Sequence, residues 1–548
     1  MKTNKIISIV VLTALFIGSC KQELIEVQPP AGPTTPPKPI AGSANFTKFV
    51  AVGNSFVAGM QAQALFNESQ ANSLPRIMAK QFETVGGPAT FNQPDINSVN
   101  GFNPISSNLG IGLVLGRLIL FDPDGSGPRS AAPTPAKFPG SAVTCPSAVT
   151  TPALPAPYNT ADFPLSAYTG VKANLNNFGV PLIYAVQTLT PATGGPASGA
   201  NPAYSPFYAR FASSPSPNGT SGSTIVGDAK TAAGSFYLIW LGFDDVLLYA
   251  ATGADGASAG TFPMTSQANF STYFGGAAAT LLGGTTFNGV VGNIPNFTSL
   301  PYFYTVPWNT ITLDAATASA LTTNLANNYN AFLDAMVANA IITAAEKDKR
   351  KLTFVAGKNG VLLSDNVGYS SGGLTDLSPY MTGPAAGLLP YALARQATAT
   401  DLVPLAAGSI LGTCNGSPSA IWGVSFPVPD RFILTPAETI AILTRTAEFN
   451  AIITNTVNGS NNRLALADVN KAYADFVTAK AAISDGVMIT PSFAPPTGAW
   501  SEDGLHPNSR GYAFTANVFI DAINAKFGSS IPKASLAAYS ATSLPVVP

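Results

Sequence analysis

One histidine occurs in the 548 residues of this chain, and it stands in Ser501-Glu502-Asp503-Gly504-Leu505-His506-Pro507-Asn508. Imidazole is the side chain whose ordinary pKa lets it take and return a proton near neutral pH. A carboxylate three residues earlier, Asp503, can hold one ring nitrogen and leave the other to act as a base. That pair lacks only a nucleophile. Ser55, in Gly53-Asn54-Ser55-Phe56, offers a hydroxyl that becomes reactive once a base removes its proton. The alternative is a loop histidine that merely follows the Asp-Gly turn signal at 503–504.

The elements that would carry these groups can be read from the apolar runs. Phe49 to Val52 is a short β-branched and aromatic run of the kind that forms a buried parallel strand, and Gly53 ends it. Ser55 then falls at the carboxyl end of that strand, the edge where open α/β sheets bind ligands. Four later runs have the same character: Pro181 to Val186, Phe236 to Leu241, Leu352 to Ala356 and Leu464 to Val469. Between them, Asp314 to Lys347 is alanine-rich and helical in period. Thr435-Pro436-Ala437-Glu438 is a capping box that opens a helix to about Val457. A last helix follows Gly511 and runs to about Phe527. Strands alternating with helices predict an α/β fold with a parallel sheet covered on both faces.

Four short blocks in this order resemble the SGNH, or GDSL-like, hydrolases. Gly53-Asn54-Ser55-Phe56 resembles their first block, with Asn54 where many members carry aspartate. Asn177-Phe178-Gly179-Val180-Pro181 resembles the second, and Trp240-Leu241-Gly242-Phe243-Asp244-Asp245-Val246 the third. Ser501 to Tyr512 is similar to the fifth. The blocks span residues 48 to 527, and the wording resembles lipoprotein members of this family from the Bacteroidetes group. The resemblance implies a flavodoxin-like three-layer α/β/α fold and a Ser55–His506–Asp503 triad. It also implies an oxyanion hole built from the N–H groups of Ser55 and Gly179 and the third-block side chain. That last residue departs from the pattern: Asp244 stands where the family has asparagine. An amide donates to an oxyanion, whereas an ionised carboxylate only accepts. Either Asp244 is held protonated by an apolar setting and donates as a neutral acid, or the site is weakened and the fold serves binding. Asp245 is expected to support neighbouring loops.

Composition sets the frame. Charged residues are only 10% of the chain and the formal charge is −1, which gives no electrostatic case for nucleic acid. Lys2 and Lys5 precede an apolar run from Ile6 to Ile17, too short to span a bilayer comfortably. Ile17-Gly18-Ser19-Cys20 resembles a bacterial lipobox, which implies a signal peptide over 1–19 and a lipid on Cys20. Residues 20–44 read as a proline-rich tether, and 45–530 as the hydrolase-like domain. Insertions are expected at about 100–170, 250–310 and 357–430, with a tail at 531–548. Aromatics in the second of them, Tyr302, Phe303, Tyr304 and Trp308, can line a pocket or belong to a core. The two other cysteines, Cys145 and Cys414, are compatible with one disulfide. Two thiols and one histidine match no zinc pattern, so neither metal nor cofactor is expected.

Two functions follow as expectations. One is a serine esterase of the cell envelope, anchored in the outer membrane through its lipid alone and cleaving an acyl ester of a lipid or an O-acylated glycan. The other is a non-catalytic lipoprotein that binds a ligand in the same cleft or docks on an outer-membrane protein.

Overall fold

Phe49-Val50-Ala51-Val52-Gly53 carries no polar side chain and is wholly buried, so nothing along it can face water. It forms β1, at the interior of a five-stranded, all-parallel sheet. The partners are β2 (Asn177–Gly179), β3 (Phe236–Trp240), β4 (Asn288–Gly292) and β5 (Leu464–Ala467), in the order β2-β1-β3-β4-β5. Register is fixed by Ala51 against Asn177 and Phe49 against Phe236. The computed structural model describes residues 37–99, 101–102, 117–118, 165–254, 262–284, 286–366 and 373–541. The chain divides at Lys38, and the sheet and its helices all belong to the unit Pro39–Pro548.

Alternation along β3 sorts the helices onto two faces. Phe236 packs edge-on against Phe82 of α2 (Leu74–Phe82) and Phe527, and Trp240 against Phe519. The last two belong to α8 (Ser509–Phe527). Tyr237, one residue along, points the other way and donates its hydroxyl to Ala229 of α3 (Ile225–Thr231) at 3.0 Å. On that second face α5 (Gln267–Leu282) packs against α3 and α6 (Pro436–Asn458), and Phe270 stacks on Phe449 at 3.8 Å. The chain is therefore α/β, with a central parallel sheet between helices. The Thr435 capping box is present as read, its hydroxyl accepting from Glu438 N–H while Glu438 holds Thr435 N–H at 2.8 Å.

Several readings of the sequence are corrected. The second strand is Asn177–Gly179, and Pro181 to Val186 leaves the sheet as a loop and 3-10 turn. Leu352 to Ala356 is not a strand. Residues 250–310 are no simple insertion, because they supply α5 and β4. The helical stretch from Asp314 is broken at Asn339, and a separate helix covers Ala344–Arg350. The segment 531–541, expected as a tail, buries Ile531, Ala534 and Leu536 and ties back to the body through Asn508. The tether also ends sooner than residue 44, since Ser43 N–H already bonds Phe527 O at 2.9 Å. Of residues 357–430, expected as an insertion, most of the described buried apolar side chains belong to a second apolar core. It runs from Ile311 to Ile433 and includes Tyr329, Leu333, Leu362 and Val428. Within it the buried guanidinium of Arg395 bonds Asp365 and both oxygens of Asp401 at 2.6–2.8 Å. Most of 100–170 lies outside the described residues, as do Cys20 and Cys145. Cys414 is disulfide-bonded. Among the described residues no helix is long and apolar enough to cross a membrane.

Candidate active site

Strand order puts three loops side by side. The carboxyl ends of β2, β1 and β3 lie adjacent, at the place where the order of strands reverses, which is where open α/β sheets form their crevice. From β1 the chain turns at once into a four-residue helix, α1 (Ser55–Ala58). Its N-cap Asn54 accepts Phe56 N–H at 3.2 Å. Gly53 is required there, because a Cβ would lie 2.5 Å from the Trp240 carbonyl of β3. Ser55 is fully buried at the first position of α1.

From β2 comes the loop Val180 to Ala185, and its backbone faces the site. Leu182 N–H donates to Ser55 Oγ at 3.0 Å, and Ile183 N–H to Asp244 Oδ2 at 3.0 Å. Ala185 N–H donates to Asp245 Oδ2 at 2.9 Å. Leu182 adopts φ of +55° to do this, a left-handed conformation that costs a residue with a Cβ roughly 1–2 kcal/mol. Gly179, expected as an oxyanion donor, is not free for that role. Its N–H bonds Asn177 Oδ1 at 2.9 Å, and an added Cβ would lie 2.4 Å from Ala58 N. It is a point of close packing between β2 and α1. The N–H that bonds Ser55 Oγ is that of Leu182, three residues later.

From β3, Gly242 leads into α4 (Asp244–Ala251). Both acids at its start are buried. Burial pushes the Asp244 carboxyl up to about 7, helped by Asp245 and opposed by His506, the Ile183 N–H and the Ser55 hydroxyl. Asp245 is pushed up to about 6, again chiefly by burial, against hydrogen bonds from Thr265 and Ala185. Asp245 ties two loops together, since Thr265 Oγ1 donates to it at 2.7 Å.

Asp503 and His506 come from the turn before α8. Asp503 Oδ1 accepts the N–H groups of Leu505 and His506, each at 2.8 Å, and Ser501 Oγ at 3.1 Å. Its Oδ2 meets His506 Nδ1 at 2.7 Å and accepts Gln63 N–H at 2.8 Å. Burial alone would raise this carboxyl, but His506 and the converging N–H groups hold it below its usual range. Gly504 takes φ of +67° under the backbone of Tyr302, which leaves 2.9 Å for a Cβ. Tyr302 and Phe303 are core residues, and Trp308 packs partly buried against the second core. Tyr304 caps its hydroxyl on Pro491 O.

The segment after α1 ties this turn to the Ser55 region. Tyr512 Oη donates to Met60 O at 2.7 Å, and Ala62 N–H to Ser501 Oγ at 2.9 Å. Phe56 packs its ring against His506 at 5.2 Å and against Trp240 and Phe243. His506 Nε2 is buried and has no hydrogen-bond partner among the described residues. The structure thus brings Ser55, Asp244, Asp503 and His506 to one buried site. Ser55 Oγ bonds the Leu182 N–H and interacts with Asp244, with no bond to His506. Asp503 by contrast is an orienting partner already in place, so Nε2 is the nitrogen left to exchange a proton.

Leu182, Ile183 and Gln63 contribute through backbone N–H groups and so left no mark in residue type. Thr265 was likewise unread. Among the described residues no group of three His, Cys, Asp or Glu side chains could hold a metal ion. Comparisons with protein-family models, with curated proteins and with solved structures found no match.

Proposed function

We propose that this chain is a serine esterase of the cell envelope, of SGNH type, that cleaves a carboxylic ester through an acyl-enzyme on Ser55. The observation that carries the reading is the state of His506. Its Nδ1 is bound to a buried carboxylate at 2.7 Å, while its buried Nε2 has no partner among the described residues. An unpaired buried ring nitrogen costs free energy, and it is left available to exchange a proton. Rotation of the Ser55 hydroxyl from Leu182 toward Nε2 lets His506 take its proton as Oγ attacks the ester carbonyl. The Leu182 N–H, released by that rotation, is then available to the developing oxyanion. A protonated Asp244 is a second donor there. His506 returns the proton to the departing alcohol, and water repeats the sequence to free the acid. The substrate is an ester of a lipid or an O-acylated glycan, and the protein sits at the outer membrane through a lipid on Cys20.

A second reading is favoured by two observations. Ser55 is fully buried, and its Oγ is engaged away from His506. In that reading the site is a closed binding cleft of a non-catalytic lipoprotein, or a support for docking on an outer-membrane protein. A fluorophosphonate probe separates the two. Labelling that is lost in Ser55→Ala and in His506→Ala supports the esterase. A wild-type chain that stays unlabelled refutes it.

A further inference from the structure

The second core displays one segment it does not bury. From Leu377 to Ala394 no side chain carries a charge. Leu377, Met381 and Ala392 are anchored in the core, but the 3-10 run Gly383–Tyr391 has no buried residue at all. Leu389 is 52% exposed and Tyr380 is 43% exposed. The two ends of the segment are held by one buried group. Arg350 donates to Ala392 O at 2.9 Å and to Thr375 O, and pairs with Glu346 at 2.8 Å. Glu346 in turn accepts Thr375 N–H at 2.8 Å. The base so tied presents an apolar strip whose exposed side chains include Pro379, Tyr380, Leu389 and Pro390.

We propose that this strip is a wedge that seats the folded body in the interface of a lipid bilayer. The inference rests on the lipid anchor of the proposed function and adds a second membrane contact to it. Protein interfaces carry a polar rim and about one hydrogen bond per 100–200 Å². This strip can offer only the hydroxyls of Thr382 and Tyr380 from its exposed side chains. A bilayer interface asks for no more than apolar area and an amphipathic aromatic at its edge. Its backbone is already partly satisfied from within, as Ala385 N–H bonds Thr382 O and Ala392 N–H bonds Leu389 O. Chain length fits as well. Between Cys20 and Pro37 the proline-rich tether can extend about 50 Å at roughly 3.1 Å per residue, so a lipid on Cys20 keeps the body within reach of the membrane.

The test uses the full chain from a host that processes lipoproteins, reconstituted with vesicles of phosphatidylcholine. Flotation reports the anchor. Bromine-labelled phosphatidylcholine then reports the wedge, in Leu389→Trp and, as a control, in Ile483→Trp, a site 74% exposed on another surface hairpin. Each is compared with the parent chain. The tryptophan at 389 should be quenched roughly twofold, because an apolar face at an interface sits about 5–10 Å into the acyl boundary. The one at 483 should be unaffected. Floating protein with equal quenching at both sites, or at neither, overturns the wedge and leaves the anchor intact. Quenching that is absent in vesicles while 389 is protected in native envelopes assigns the strip to a protein partner and also overturns it. A chain that does not float refutes the anchor, and the wedge falls with it.

Discussion

Leu182 donates its backbone N–H to the hydroxyl of Ser55 at 3.0 Å from a left-handed backbone of φ +55°. Glycine adopts that conformation freely and leucine does not. Leu182→Gly removes about 1–2 kcal/mol of strain and introduces about 0.5–1 kcal/mol of chain entropy. The side chain is only partly buried, so little packing is lost. Thermal denaturation should find the variant as stable as the parent or slightly more so, with ester hydrolysis retained. A drop of many degrees would mean that the leucine side chain, not the N–H, is what the site needs.

Ser55→Ala and His506→Ala should each abolish hydrolysis of p-nitrophenyl acetate. Asp503→Asn keeps the shape but favours the wrong tautomer, and should lower kcat by about 10⁴. Steady-state kinetics on the three variants checks this. Hydrolysis that survives loss of Ser55 would put the chemistry elsewhere.

Asp244 has a carboxyl pushed up to about 7. Below that pH it is neutral and can donate to an oxyanion; above it the carboxylate repels one. The parent's kcat should therefore fall as pH climbs through about 7. Asp244→Asn should remove this basic limb and at pH 9 exceed the parent by roughly tenfold or more. A parent that is flat on the basic side and slowed by the asparagine would contradict this role.

The same residue gives a stability test independent of catalysis. An aspartate whose folded value lies above its unfolded value binds more protons when folded, so its contribution is full below about pH 4. It is lost as pH rises through about 7. A carboxyl raised from 3.8 to about 7 corresponds to a stability difference on the order of a few kcal/mol. Urea denaturation at pH 8 should show Asp244→Asn more stable than the parent by up to that amount, with the gain vanishing near pH 4.

The buried Arg395 compensates Asp365 and Asp401 in the second core. Arg395→Met leaves two carboxylates without their partner and should cost about 3–5 kcal/mol, the range for breaking a buried pair. Urea denaturation followed by tryptophan fluorescence would register it through Trp422, which packs on that core. An unchanged transition would show that the pair is solvated.

How much of this was legible depended on which atoms did the work. The Thr435 capping box and the turn at Asp503 are written in side chains, and both lie where the residues put them. The runs at Phe49 and Phe236 were recognisable because four and six consecutive apolar residues suit a strand buried on both faces. For the same reason Leu352 to Ala356 misled: a short apolar run looks alike in a central strand and in a packed loop. Asn288–Gly292 went unread because it offers only Val290 and Val291 between glycines and an asparagine. Gly179 was expected as the donor from the resemblance of its block, whereas the N–H that bonds Ser55 belongs to a leucine.

The bond between Ala62 N–H and Ser501 Oγ joins residues 439 positions apart. Such contacts form late, because a very long loop must close before they yield anything. In a chain that emerges amino end first, Ser55 appears long before the turn at 503–506 exists. Until the last fifty or so residues arrive, Asp503 and His506 are not there to be oriented, and in the proposed mechanism Ser55 lacks its base. On the proposed function, a chain that stops short of residue 503 is therefore expected to be inert by topology.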